Sequence, residues 1–277
     1  MVTLPDKRFS PALLCASFFS CCIYFLFITL GVDVAGFSAP IALSAVLTAA
    51  SLFILASFSN LARMALLVAL SLFLLAHFLM IQLEAQIFSL GQLDSAAVVG
   101  LSLLAVGVAA PFVVASHFFD TRSNLRKGTF SRLVLCPVYL LRVTVCATTF
   151  PILYFLAGIA ILPFVQGFYA GIIPPLPELM LWQWLRGMVF TVSTIPLIAS
   201  FSAGPLAAVG VFALVFPILG GIAPLLLPNP VMPPEVRLVH GFEIVASYIA
   251  FGAVLGFLLH PSAKKNPLRA VARGVQP

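Results

Sequence analysis

Apolar residues in this chain come in long unbroken blocks, not in the alternating or every-third pattern of a water-facing fold. An α-helix needs about 20 apolar residues to cross the hydrocarbon core of a bilayer. About eight blocks meet that requirement, at roughly 11–32, 38–59, 61–82, 96–118, 146–170, 180–201, 205–227 and 235–259. The stretch between Arg132 and residue 170 is broken only by Arg142 and Gln166 and fits two readings. It is either a cytoplasmic-surface helix over 132–145 leading into a span, or one long kinked helix. The first block follows Asp6-Lys7-Arg8 and resembles a signal peptide. Its apolar part, about 21 residues, exceeds the 7–15 of a typical signal core, so it is read as an uncleaved anchor that forms span one.

The polar interruptions carry the topology. Lys7, Arg8, Arg63, Arg122, Arg126, Lys127, Arg132, Lys264, Lys265, Arg269 and Arg273 fall in alternate loops and at the two ends. The intervening loops hold Asp33, Glu84, Asp94, Glu178 and Glu235, and no lysine. Cytoplasmic loops are enriched in lysine and arginine, so this pattern places both termini in the cytoplasm. The expected fold is therefore all-α: a polytopic transmembrane helical bundle of about eight spans, forming a single membrane-embedded domain over 1–277. Within it, 1–119 holds spans one to four, 120–145 a basic cytoplasmic loop and possible surface helix, 146–260 spans five to eight, and 261–277 a basic cytoplasmic tail. A multi-pass protein of the cell membrane is expected, and the bacterial inner membrane is the expected host.

Composition agrees. The 277 residues are 62% hydrophobic and 8% charged, with a mean hydropathy of +1.18. A soluble domain carries about 25% charged residues. The net charge of +6 is assigned to topology and to anionic headgroups of the bilayer, the expected partner, and not to nucleic acid. The five cysteines, Cys15, Cys21, Cys22, Cys136 and Cys146, form no CxxC or Cys/His ligand pattern and read as free thiols. No phosphate loop, nucleophile elbow or HExxH is present.

The two halves differ in proline. Of 21 prolines, all but Pro5, Pro11, Pro40 and Pro111 lie at or beyond Pro137. Pro151, Pro163, Pro196, Pro217 and Pro224 fall within apparent spans. Proline removes an N–H donor and crowds the carbonyl four residues back. In a bilayer, broken helix is tolerated where protein or a water-filled cavity satisfies the freed groups. Transporters place substrate at such breaks; simple kinking is the plainer reading.

The candidate chemistry lies in spans six and eight. At 3.6 residues per turn, Arg237, His240, Glu243 and Ser247 share one face of span eight. Gly252 and Gly256 form a GxxxG on another, a surface for close helix packing. Ionisable groups at membrane depth are costly and mark sites. Arg186 of span six and His77 of span three lie at comparable depth, so Arg186, His77, His240 and Glu243 are expected to converge in the outer half. Gln183, with Trp182 and Trp184, is expected to form an interfacial collar. The expected site is an outward-facing polar cavity of Arg186, Arg237, His240, Glu243, His77, Gln183 and Ser247, with Arg186 and Glu243 turned toward each other. The plainer alternatives are an ion pair of Arg186 or Arg237 with Glu243, and an Arg237 that reaches back to the surface. His240 with Glu243 also has the form of a proton-relay or metal pair, but two ligands do not define a metal site. No catalytic residue, metal ligand or cofactor is assigned.

The segment PELMLWQWLRGMVFTV resembles the glutamate-containing helix of CAAX-type membrane proteases, and VRLVHGFE stands where their last histidine helix would. That resemblance would imply an intramembrane hydrolase. The family's paired glutamates are here Trp182 and Gln183, and its next histidine is Phe216, so the groups that activate water are missing. Haem-binding membrane subunits also bear comparison, since they use histidine pairs on facing helices; His77 and His240 are the candidates. The expected activity is transport or sensing of a small solute or ion. The alternatives are an accessory subunit assembled with other membrane subunits, and an intramembrane enzyme using His240 and Glu243.

Overall fold

The computed structural model describes residues 11–31, 39–88, 93–115, 137–227 and 232–261. The basic loop 120–136 with Cys136, the histidine His117, the acidic residue Asp33 and the tail beyond 261 lie outside these residues. The described residues form eight helical rods: α1 (Pro11–Gly31), α2 (Ala39–Phe58), α3 (Arg63–Ile87), α4 (Ser95–Ala115), α5 (Pro137–Tyr169), α6 (Leu176–Ala199), α7 (Pro205–Leu225) and α8 (Pro234–Leu259). Seven of them are long and apolar enough to cross a membrane. The exception is α6. Its 24 residues give a length of about 36 Å, enough to span, but Gln183 and Arg186 lower its apolarity.

One boundary differs from that expected, and the structure takes the second of the two readings left open for the stretch before residue 170. α3 runs on to Ile87, so Glu84 sits in its last turn and not in a loop. α5 is continuous from Pro137 to Tyr169, through Pro151 and Pro163. Residues 137–145 therefore belong to this long helix. Arg142 donates from Nη1 to the carbonyl of Leu258 at 3.2 Å. That carbonyl is in the last turn of α8, where no intrahelical donor is left to satisfy it.

The bundle has two groups of helices. α1 packs on α2 and α4, and α4 on α3; α8 packs on α7 and α5, and α5 on α6. The groups meet where α3 lies against α6 and where α2 meets the end of α7. The closest contact within the second group is made by the predicted glycines. A Cβ at Gly252 would collide with the carbonyl of Phe212, and one at Gly256 would lie 2.7 Å from the Ala208 carbonyl group. α8 thus rests directly on the backbone of α7, as small-xxx-small faces allow.

Only α7 is broken. After Pro217 the helix widens into a π-turn, Ile218–Ile222, in which the Ala223 N–H reaches back to the Ile218 carbonyl. The break is coded locally: Pro217 and Pro224 cannot donate, and Gly220 and Gly221 have no side chains. Gly220 receives the ring of Tyr248 and Gly221 the side chain of Ile244, both at distances no Cβ would permit. Ser44 of α2 donates to the Ala223 carbonyl at 2.8 Å, and the Tyr24 hydroxyl lies 3.2 Å from Ser44 Oγ. Widened turns of this kind occur frequently at functional sites.

At the opposite end of the bundle, the loop after α2 is stitched to the loop after α6. Asn60 N–H donates to the Ser200 carbonyl at 3.1 Å and Ser202 N–H to the Phe58 carbonyl at 2.8 Å. The rings of Phe58 and Phe201 stack over this contact at 5.1 Å. His260 Nε2 lies 3.0 Å from the Ala203 carbonyl nearby.

Candidate functional site

The end of α3, the second half of α5, Arg186 of α6, the broken end of α7 and the start of α8 enclose a cavity of about 150 Å³. Its charged and polar walls are Glu84, Arg186, His240, Tyr154 and Tyr169. Its apolar walls include Ile81, Phe88, Leu225 and Met232, and Gly220, Gly221 and Pro224 of the π-turn region form part of the lining. The glycines of the π-turn admit Tyr248 and Ile244 of α8 beside the cavity.

Arg186 is 5% exposed and pairs with Glu84 at 2.6 Å. Glu243 is therefore not its ion-pair partner, contrary to the sequence reading. The signal for Glu84 was present: it follows His77 by seven residues, two helical turns along the same face of α3. The length assigned to span three hid it. On its other side the guanidinium lies over the rings of Phe150, Phe190 and Tyr248, 5.6 to 5.8 Å from their centroids. Such contacts add about 0.5–2 kcal/mol each. Together they offset part of the cost of holding a cation away from water.

His240 and Glu243 form a second pair within α8, with Nδ1 to Oε2 at 2.7 Å. Their i,i+3 spacing lets both side chains reach the same side of the helix. Glu243 is 5% exposed and lies against α5, where a Cβ on Gly158 would stand 3.3 Å from its Oε1. The carboxylate occupies Nδ1 and leaves Nε2 as the ring nitrogen for the cavity. A histidine held this way is fixed in tautomer and can exchange a proton at Nε2. The Tyr169 ring stands 6.5 Å from the imidazole and meets Phe88 edge-on at 5.8 Å.

The remaining candidates lie elsewhere. His77 is fully buried, with Nδ1 2.8 Å from its own helix's Phe73 carbonyl. Phe73, Phe190 and Phe216 surround it at 4.5 to 5.0 Å, and it does not line the cavity. Its Nε2 has no hydrogen-bond partner among the described residues. This enclosed ring does not fit the haem-pair reading. Arg237 turns back, donating from Nη2 to the Met232 carbonyl at 3.1 Å; it ties down a wall residue but does not line the cavity itself. Ser247 Oγ donates to the carbonyls of Glu243 and Ile244 and is spent on its own helix. Gln183 is 3% exposed and faces inward, so it is no part of an interfacial collar. Gln183 Oε1 and Arg186 Nε, three residues apart on α6, are buried without a partner among the described residues. Polar atoms of this kind are the usual hosts of internal water.

Among the described residues, no three His, Cys, Asp or Glu side chains are grouped to hold a metal ion. Comparison of the chain with protein-family models, curated proteins and solved structures finds no match in any of the three.

Proposed function

We propose that this multi-pass membrane protein is a solute-binding protein whose ligand enters the Glu84–Arg186–His240 chamber, for passage or for sensing. In this reading all eight rods span the bilayer, both termini are cytoplasmic, and the chamber opens to the outer side. The alternation of basic and acidic loops supports the orientation, and the length of α6 with its inward-turned polar groups supports the eighth span. One observation carries the function. Charged side chains from three helices meet at a cavity beside the only broken helix among the described residues. A purely structural ion pair needs no cavity, and simple kinking needs no charge. Membrane carriers join irregular helix, polar groups and a mid-bundle space in this way.

Cysteine accessibility tests it. With the native cysteines replaced, Ala85→Cys places a thiol on the chamber wall. Membrane-impermeant methanethiosulfonate reagents applied from the outer side are expected to modify it, and excess small solute to slow the reaction. Modification only from the inner side, or none while a loop cysteine reacts, overturns the reading.

A further inference from the structure

Resting on that reading, we infer that the chamber's ligand is a small organic ammonium cation, taken up in exchange for the proton held by His240 and Glu243. The argument is a charge count over the groups that meet there. α3 brings Glu84, α6 brings Arg186, and α8 brings His240 and Glu243. α5 contributes Tyr154 and Tyr169, and α7 presents only Gly220, Gly221, Pro224 and Leu225. Arg237 is turned away to Met232. Taken as ionised, the acidic and basic groups other than the histidine are thus two carboxylates against one guanidinium. With His240 neutral the cluster carries one uncompensated negative charge; with His240 protonated it is balanced. An uncompensated charge is the expensive state in a membrane interior. The chamber therefore calls for one further positive charge, supplied either by a proton on the histidine or by a ligand, and it disfavours both at once.

The walls select the kind of cation. Calcium or magnesium takes six or more oxygen ligands; the chamber offers one carboxylate, already paired, and two phenols. Its other surfaces are the rings of Phe88, Tyr154 and Tyr169 and the aliphatic chains of Ile81 and Leu225. Aromatic faces attract organic ammonium groups, and aliphatic walls accept their substituents. A void of about 150 Å³ holds a molecule near the size of benzene. Arg186 does not make the site anionic-selective, because its charge is already met by Glu84 and by three ring faces. Binding then runs as an exchange: the ammonium enters from water, and the proton on His240 returns to water.

Three near-isosteric probes separate the possibilities: tert-butylammonium, tert-butanol and pivalate. Binding to the full-length protein in lipid nanodiscs is measured by calorimetry, in buffers of differing ionisation enthalpy so that released protons are counted. The cation is expected to bind at least tenfold more tightly than the other two. Up to one proton should be released per cation, and affinity should rise about tenfold per pH unit where the histidine pair is protonated. His240→Gln keeps both carboxylates and removes the competing proton, so affinity should become independent of pH. Glu243→Gln balances the cluster without a proton, so affinity should fall at least tenfold. Equal or tighter binding of pivalate or tert-butanol overturns the ligand class and leaves the chamber standing. Cation binding without proton release overturns the exchange. If none of the three binds, the solute-chamber reading fails as well. Should Glu243→Gln not fold, the pH dependence of His240→Gln decides between exchange and simple binding.

Discussion

Arg186 of α6 is paired with Glu84 of α3 at 2.6 Å and not with Glu243 of α8. The contact joins the two helix groups of the bundle where α3 meets α6, and it leaves Glu243 to orient His240. Removing one partner strands a buried charge. Glu84→Gln is expected to lower unfolding free energy by about 3 kcal/mol. Adding Arg186→Met to it should recover most of that loss, because both charges are then gone. Thermal unfolding in detergent with the single and double variants measures this; equal losses in both would refute the ion-pair account.

The glycine contact between α7 and α8 gives a graded series. Gly252→Ala and Gly256→Ala each force a methyl into the backbone of α7, and each should cost about 1–3 kcal/mol. Gly210→Ala meets no atom within 4 Å. It should be neutral or stabilising by up to about 1 kcal/mol, since alanine is the better helix former. A flat response across the three would show that this interface is looser than described.

His77 is expected to be structural. It is caged by three phenylalanine rings, and its Nε2 is buried without a partner among the described residues. An unsatisfied buried nitrogen costs about 1–3 kcal/mol. His77→Leu should therefore leave stability within about 1 kcal/mol of the parent or raise it, and leave solute protection of Ala85→Cys unchanged. A collapse of either would place His77 in the working machinery.

Orientation is testable with single cysteines in a cysteine-free background. Glu178→Cys, in the first turn of α6, should react with an impermeant maleimide in intact cells. Asn60→Cys, in the loop at the other end, should react only after permeabilisation. The reverse pattern would invert the topology and turn the chamber toward the cytoplasm.

Most rods were legible in the sequence because a block of apolar residues has one economical structure in lipid, a spanning helix. The packing face of α8 was legible for the same reason: glycines four apart leave a groove that another backbone fills. The polar contacts were read less well. Glu84 was assigned to a loop because hydropathy falls before α3 ends, so the partner of Arg186 was missed. Arg237 and Ser247 share a face with His240, but each has a nearer acceptor on its own backbone. Tyr154 and Tyr169 carry no signal, since a tyrosine in an apolar run looks like any aromatic residue. The chamber comes from how helices remote in sequence are assembled, and periodicity along one helix does not encode it.

The stitched loops at the far end have a mechanical implication. Two main-chain hydrogen bonds, Asn60 to Ser200 and Ser202 to Phe58, clamp α2–α3 to α6–α7 there, whereas at the chamber end the two groups are joined through side chains, by the Glu84–Arg186 pair and by Ser44 on the Ala223 carbonyl. Side chains re-pair more readily than a paired backbone lets go. Any parting of the two groups that admitted a guest at the chamber end would break side-chain contacts there and leave the Phe58–Phe201 end held by its backbone.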